Sequence, residues 1–302
     1  MHKNSQLNLN QYASSPTFIY LFELFMVQFL FAILPSLSKI AFKSFAPESI
    51  LFFRIAGSSL LFALVFFFFM YEKIHRIKDY LYFALLSLFG VVGNQYLFLK
   101  GVSLSTAINA SIIITTIPIF TLIIANIVSR EQITRLKLLG ILIALSGVLS
   151  IIGLDKFALS GHTTGNIMIL SNSLLYSVYL VMTKPILSRY HPFTVITYVF
   201  LFSTIECLPF CYNNLLNAKL SMIPLNEYYV PIIIVLFSTF APYLLNTIAL
   251  KHVSSSVVAI FIYTQPLIGT LFAIILLGEQ LTAGIILSGI LIISGVILAT
   301  IK

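Results

Sequence analysis

The sequence predicts an all-α integral membrane protein, with ten transmembrane helices arranged as two inverted five-helix repeats. Three observations lead there. The 302-residue chain is 59% hydrophobic and 9% charged, where a globular protein carries about 25% charge, and its mean hydropathy is +1.05. Its apolar residues fall in runs of about twenty, enough to cross a bilayer core of about 30 Å. Finally, one stretch is written twice. Pro118, Glu131-Gln132-Ile133-Thr134 and Ser146-Gly147-Val148 recur 148 residues later as Pro266, Glu279-Gln280-Leu281-Thr282 and Ser294-Gly295-Val296. A fixed-offset echo over half a chain is the mark of duplication. Lys39 with Pro47 against Lys184 with Pro192, and Lys100-Gly-Val-Ser against Lys251-His-Val-Ser, extend it through both halves.

Residues 1–17 are polar and read as a free tail rather than a signal peptide, having no cleavage-like site of small residues. The first repeat then occupies 18–153, with runs at 18–41, 47–71, 80–99, 104–128 and 136–153. The second occupies 164–300, with runs at 164–187, 192–212, 228–250, 254–277 and 282–300. Pro47 and Pro192 suit the first turn of a helix, where the missing N–H costs nothing. Thr134 and Thr282 precede apolar runs and can cap the freed amides. With no Trp, the interfacial belt falls to Tyr20, Tyr71, Tyr80, Tyr82, Tyr190, Tyr212, Tyr228 and Tyr229. The longest loop, Asn213–Glu227, is too short for a soluble domain.

Orientation follows from Lys and Arg in the loops. With a cytoplasmic N-terminus, that side holds eleven and the other five, Arg54 being inside a span. Both termini are then cytoplasmic. Five spans per repeat is odd, so the second copy enters from the opposite face, the arrangement used for alternating access around a midplane site. A bacterial inner (plasma) membrane is the expected location. The +8 net charge is spread over short loops, which argues against nucleic acid. Cys207 and Cys211, four apart in one apolar run, read as packing residues. The five His lie in the tail and loops. No catalytic set, metal-ligand spacing or phosphate-cradling Gly loop is visible, so no enzyme, metal or cofactor is expected.

The two proline-to-Glu-x-x-Thr segments, with Lys39, Arg54 and Lys184, resemble the drug/metabolite transporter superfamily in its ten-helix EamA-type branch, over about residues 18–300. The family often has Trp early in helices 1 and 6; Phe31 and Tyr176 stand near those places. The resemblance implies solute transport through a central cavity lined by helices 1, 3, 4, 6, 8 and 9.

Inside the apolar runs lie the amides Asn94, Gln95, Asn109, Asn172, Asn246 and Gln265 and the hydroxyls of Tyr176, Tyr179, Tyr243 and Tyr263. Such groups either tie helices together or line a pathway. The substrate-binding set is taken as Asn94, Asn109, Tyr176, Tyr179, Tyr243, Asn246, Tyr263 and Gln265. Tyr176 and Tyr179, three apart, share a helix face, whereas Asn94 and Gln95 diverge by about 100°. Lys39, Arg54 and Lys184 are candidates for charge or gating roles. Lys39 and Lys184 can instead snorkel to the interface, and Arg54 can bond exposed carbonyls or Glu48. Pro118 and Pro266 each break a span, for packing or to shape a cavity. Glu131 and Glu279 serve as turn residues that pair or cap, or as gates. The small-residue steps Gly140/Ala144, Gly284/Ser288 and Gly295/Ala299 permit close packing of helices 5 and 10 within one chain, so the protein is expected to act as a monomer.

Of nine carboxylates, none falls at mid-membrane. Glu23 and Glu206 come nearest. A carboxylate-centred antiporter of cationic drugs is therefore not expected. The expected partners are the lipid bilayer and a small-molecule substrate, most simply an amino acid or a relative. Nucleotide derivatives or other cofactors as cargo, and a non-transporting scaffold, are the alternatives.

Overall fold

The computed structural model describes residues 18–69, 72–129, 135–152, 161–217 and 222–300. The tail, Tyr71, the turn carrying Glu131, Gln132 and Thr134, and residues 153–160 of the loop before the second half lie outside the described residues. Among the described residues the secondary structure is entirely helical.

The chain opens with α1 (Phe18–Ala32) and α2 (Leu34–Ala41), nearly one run, and turns into α3 (Pro47–Phe69). Pro47 does occupy the first turn of α3, as Pro192 does that of α10 (Pro192–Glu206). The third run is α4 (Ile77–Ser87) and α5 (Gly93–Leu104), joined by a π-helical turn over Leu88–Val92. The fourth is α6 (Ala107–Ile113) and α7 (Ile117–Ser129), joined by a 3-10 turn over Ile114–Thr116. Then follow α8 (Arg135–Ile152) and α9 (Gly161–Ile186).

After α10 the chain bends by 56° into α11 (Leu208–Asn217). The stretch from Asn213, expected to be loop, is therefore helical through Asn217, and the expected straight span 192–212 breaks at Cys207. The sequence hides this break because Cys207 lies within an apolar run that continues on both sides of it, through Leu208–Tyr212. Beyond a 3-10 turn (Leu225–Tyr228), α12 (Tyr229–Val235) leads through a second π turn (Leu236–Phe240) into α13 (Ala241–His252). The chain ends with α14 (Ser255–Ile260), a 3-10 turn (Phe261–Thr264), α15 (Gln265–Leu277) and α16 (Ala283–Thr300).

The duplication is visible in this element order. The two π turns lie 148 positions apart, and α5 and α13, α7 and α15, and α8 and α16 start and end at the same offset. Each half thus repeats its π turn and the 3-10 turn before its proline, so those are properties of the architecture, whereas the break at Cys207 has no counterpart in the unbroken α3.

Seven helical stretches among the described residues are long and apolar enough to span a bilayer, eight if the bent α10–α11 pair is one span. The expected fifth and tenth spans, α8 and α16, are not among them. Apolar side chains face outward along these helices: Leu60, Phe68, Leu267 and Ile275 are all more than half exposed, the surface of a protein solvated by lipid. Between α8 and α16 the small-residue expectation holds in part. A methyl on Gly295 would lie 2.4 Å from the Ala144 backbone nitrogen, and one on Gly147 would lie 2.8 Å from the Ser288 carbonyl oxygen. Gly284 meets only its own Thr282, so of the Gly284/Ser288 step only Ser288 serves this contact. Thr282 caps α16 as expected, accepting from Ile285 N at 3.3 Å.

The tyrosine belt is partly corrected. Tyr212 and Tyr229 are exposed, but Tyr190 is buried. Its hydroxyl donates to Asp79 Oδ2 (2.7 Å) and accepts from His75 N (3.0 Å), while Arg189 bonds Asp79 Oδ1 (2.6 Å). Tyr190 thus holds the turn after α9 against the start of α4.

Candidate functional site

A cavity of about 60 Å³ lies between the two halves. The first half supplies Gln28 and Phe31 of α1, Leu34 of α2, Arg54 of α3 and Asn94, Gln95 and Phe98 of α5. Ile114 and Ile117 complete that side. The second half supplies Asn172 and Tyr176 of α9, Tyr243 and Asn246 of α13, Val258 of α14, Ile262 and Gln265. Four pairs of these residues are repeat equivalents, 148 positions apart: Gln95 and Tyr243, Phe98 and Asn246, Ile114 and Ile262, Ile117 and Gln265. The cavity therefore sits where the duplicated halves face each other, and its polarity is uneven. In three of the four pairs the second-half member is polar, and in one the first-half member is.

The span breaks shape this wall. Pro118 cannot donate to the Ile114 carbonyl four residues back; the Ile117 N–H bonds it instead, in a tighter 3-10 turn. Thr115 and Thr116 donate to the Ile112 and Ile113 carbonyls (2.6 and 2.8 Å), Thr264 donates to that of Phe261 (2.8 Å), and Ser177 of α9 donates to that of Ile117 (2.9 Å). Backbone groups loosened at membrane depth are thus satisfied by neighbouring hydroxyls. Pro118 and Pro266 do not line the cavity; the residues just before them do.

Hydrogen bonds hold the polar lining. Asn94 and Asn172 exchange bonds, each amide donating to the other's backbone carbonyl (3.2 and 2.9 Å). Asn246 Nδ2 donates to Tyr176 Oη (3.1 Å), Tyr243 Oη donates to the Gly90 carbonyl (3.0 Å), and Gln265 donates to Gln28. Arg54 is 2% exposed. Its Nε donates to Thr239 Oγ1 (2.9 Å) and its Nη2 to the Ser238 carbonyl (3.4 Å), both in the second π turn. Among the described residues Arg54 Nη1 and Asn246 Oδ1 have no hydrogen-bond partner.

Of the expected substrate-binding set, Asn94, Tyr176, Tyr243, Asn246 and Gln265 come together here, and Arg54 joins them. Gln95 and Asn172 do as well, although Gln95 was expected to diverge from Asn94. Asn109, Tyr179 and Tyr263 do not line the cavity. Asn109 sits beside the Thr106 cap of α6, with its amide 3.5 Å from Asn166 Oδ1. Tyr179 lies one turn beyond Tyr176, with ring centroids 5.8 Å apart, and packs on Gly90. Tyr263 follows Ile262 by one residue, so it turns away, into the small apolar cluster around Ile108 and Ile292.

The cations need correction too. Lys184 does not face the cavity: its Nζ donates to the carbonyls of Leu250 (2.6 Å), Lys251 (3.2 Å) and Val253 (2.7 Å), closing the C-terminus of α13. Lys39 is half-buried near Glu279 and also stays outside the lining. Glu48, offered as a partner for Arg54, is bound to Lys100 at 2.8 Å. Glu279 accepts from the backbone amides of Ala107 (2.8 Å) and Ile108 (2.9 Å), capping α6 across the halves. Gln28 is a lining residue the sequence reading passed over. The signal was there, an amide deep in the first apolar run.

Known proteins agree with this architecture. The EamA-like transporter family matches the chain twice, over residues 18–153 and 163–301. A protein of Archaeoglobus fulgidus described as an uncharacterized transporter is 31% identical over 270 residues, covering 87% of this chain and 91% of the relative. The uncharacterized transporter YdfC of Bacillus subtilis is 26% identical over 271 residues, covering 86% and 84% of the two chains. A solved crystal structure superposes with a TM-score of 0.66 at 14% identity, covering 93% of this chain and 96% of its own, a likeness of fold alone. With a duplicated helical scaffold, a polar cavity between its halves and a twofold family match, the chain belongs to the EamA-like transporter family.

Proposed function

We propose that the protein carries small metabolites, most simply amino acids or their relatives, by alternating access around the central cavity. The reading counts ten spans in two inverted five-helix repeats, within about 18–153 and 164–300, and a monomer with both termini in the cytoplasm of a bacterial cell. The observation that carries it is the lining by repeat-equivalent positions from both halves. In an inverted duplication, exchanging the conformations of the two halves exposes such a site to opposite faces. A mixed lining of amides, tyrosine hydroxyls and aliphatic walls suits a small solute with a polar head and an apolar body.

The test is uptake of a labelled panel of amino acids and nucleotide derivatives into proteoliposomes holding the full chain. Saturable amino-acid flux is the expected result. Flux of nucleotide derivatives alone would overturn the substrate class, and no flux of any solute from folded protein would favour a scaffold. A cysteine at Asn217 should be labelled only from outside the cell. Labelling only from the cytoplasm would overturn the orientation.

A further inference from the structure

We propose that the cavity selects solutes bearing one carboxylate, and that Arg54 is the residue that receives it; the proposal rests on the transport reading above. A guanidinium 2% exposed is costly to bury unless its charge and donors are met. Here it is tied only to neutral oxygens, Thr239 Oγ1 and the Ser238 carbonyl. No carboxylate is found among the described residues lining the cavity. The acid closest to it in sequence, Glu48, is neutralised by Lys100. Arg54 borders the cavity and keeps Nη1 without a partner among the described residues.

The geometry gives that arrangement direction. Nε and Nη2 are fastened to the π turn of the opposite half, which fixes the plane of the guanidinium and leaves its remaining nitrogen in reserve. Nη1 and the second N–H of Nη2 form the outer edge of that plane, and two parallel donors there match the two oxygens of a carboxylate. The charge count points to a single negative charge. Lys184 is committed to three backbone carbonyls and Lys39 stays outside the lining, so Arg54 faces the cavity as its one cation among the described residues. A phosphate dianion would need a second. The aliphatic wall of Leu34, Ile114, Ile117, Val258 and Ile262 asks for an apolar body behind the carboxylate.

The experiment uses four probes with one branched side chain: L-leucine, L-leucinamide, 4-methylpentanoate and isopentylamine. Binding to the full chain in detergent is measured by calorimetry, and leucine flux is measured separately in proteoliposomes. Leucine and 4-methylpentanoate should bind at least tenfold tighter than leucinamide and isopentylamine. Arg54→Gln should weaken both carboxylates at least tenfold. If that variant does not fold, Arg54→Lys keeps the charge without the fork and should weaken them about three- to tenfold. Equal binding of the amide or the amine overturns the proposal, as does unchanged carboxylate binding by a folded Arg54 variant, or no binding by any probe. Leucine flux unaltered by Arg54→Gln would remove this role and leave the carrier standing. Carboxylate binding without flux of any solute would remove the carrier and leave the site.

Discussion

Gly90 sits in the first π turn, where its missing side chain makes room for Tyr179. A methyl built there would lie 2.1 Å from Tyr179 Cδ2, 2.4 Å from Cγ and 2.6 Å from Cε2. Carbon atoms pack at about 3.5–4.0 Å, so Gly90→Ala must push the ring back by more than 1 Å. The ring is rigid and 1% exposed, with no flexible end to yield, and overpacking of this kind costs about 1–3 kcal/mol. The Gly90 carbonyl also accepts the Tyr243 hydroxyl at 3.0 Å. Shifting it puts about 0.5–1.5 kcal/mol more at risk. The expected total is about 2–4 kcal/mol, together with a displaced cavity wall. Cys207 and Cys211 are free and fully buried, so a thiol-reactive dye reports unfolding without any engineered label. Tyr179→Ala alone should cost about 3–5 kcal/mol, but it leaves room for the methyl. The double variant should then be more stable than the sum of the singles by about 1–3 kcal/mol. Strict additivity, or a Gly90→Ala protein as stable as the parent, would refute the reasoning. Gly289→Ala is the control: its methyl meets only Ile112 Cδ1, at 3.8 Å, and should change stability by no more than about 1 kcal/mol.

Glu279→Gln removes the charge and one of the two oxygens that cap α6. Hydrogen bonds to charged groups contribute about 1.5–3 kcal/mol each, and Glu279 is partly exposed, so the expected loss is about 1–3 kcal/mol by the same dye assay. Faster modification of a cysteine placed at Asn246 should accompany it as the halves loosen; unchanged melting and labelling would count against a cap that joins them. Tyr190→Phe removes the donor to Asp79 and the acceptor for His75 N, costing about 1–3 kcal/mol. Burial, and then the bond to Asp79, raise the Tyr190 phenol above its usual value. Its contribution is therefore full below about pH 10, the unfolded value, and is lost as pH rises through the higher folded one. Melting curves should show the parent losing stability on that alkaline side and the Phe variant losing less; identical pH profiles would refute the assignment.

The membrane class, the duplication and most helix positions were determined by the sequence alone, because each rests on local properties. Long apolar runs need no partner to be recognised, Pro47, Pro192 and Thr282 act on their own first turns, and a 148-residue echo survives in the letters themselves. The presence of polar side chains at membrane depth was equally legible. What only the tertiary structure decided is which way each of them faces. A helix in lipid is apolar all round, so no periodic stripe records its rotation, and rotation is set by the helices packed against it. That is why Asn246 borders the cavity while Asn109 stays at the end of α6, and why Tyr176 lines it while Tyr179 fills the gap beside Gly90. It is also why Arg54 met Thr239, 185 residues away, rather than Glu48 six residues away. Charge partners across a duplicated fold are chosen by approach in space, and the residue spacing that reveals a helix carries no record of it.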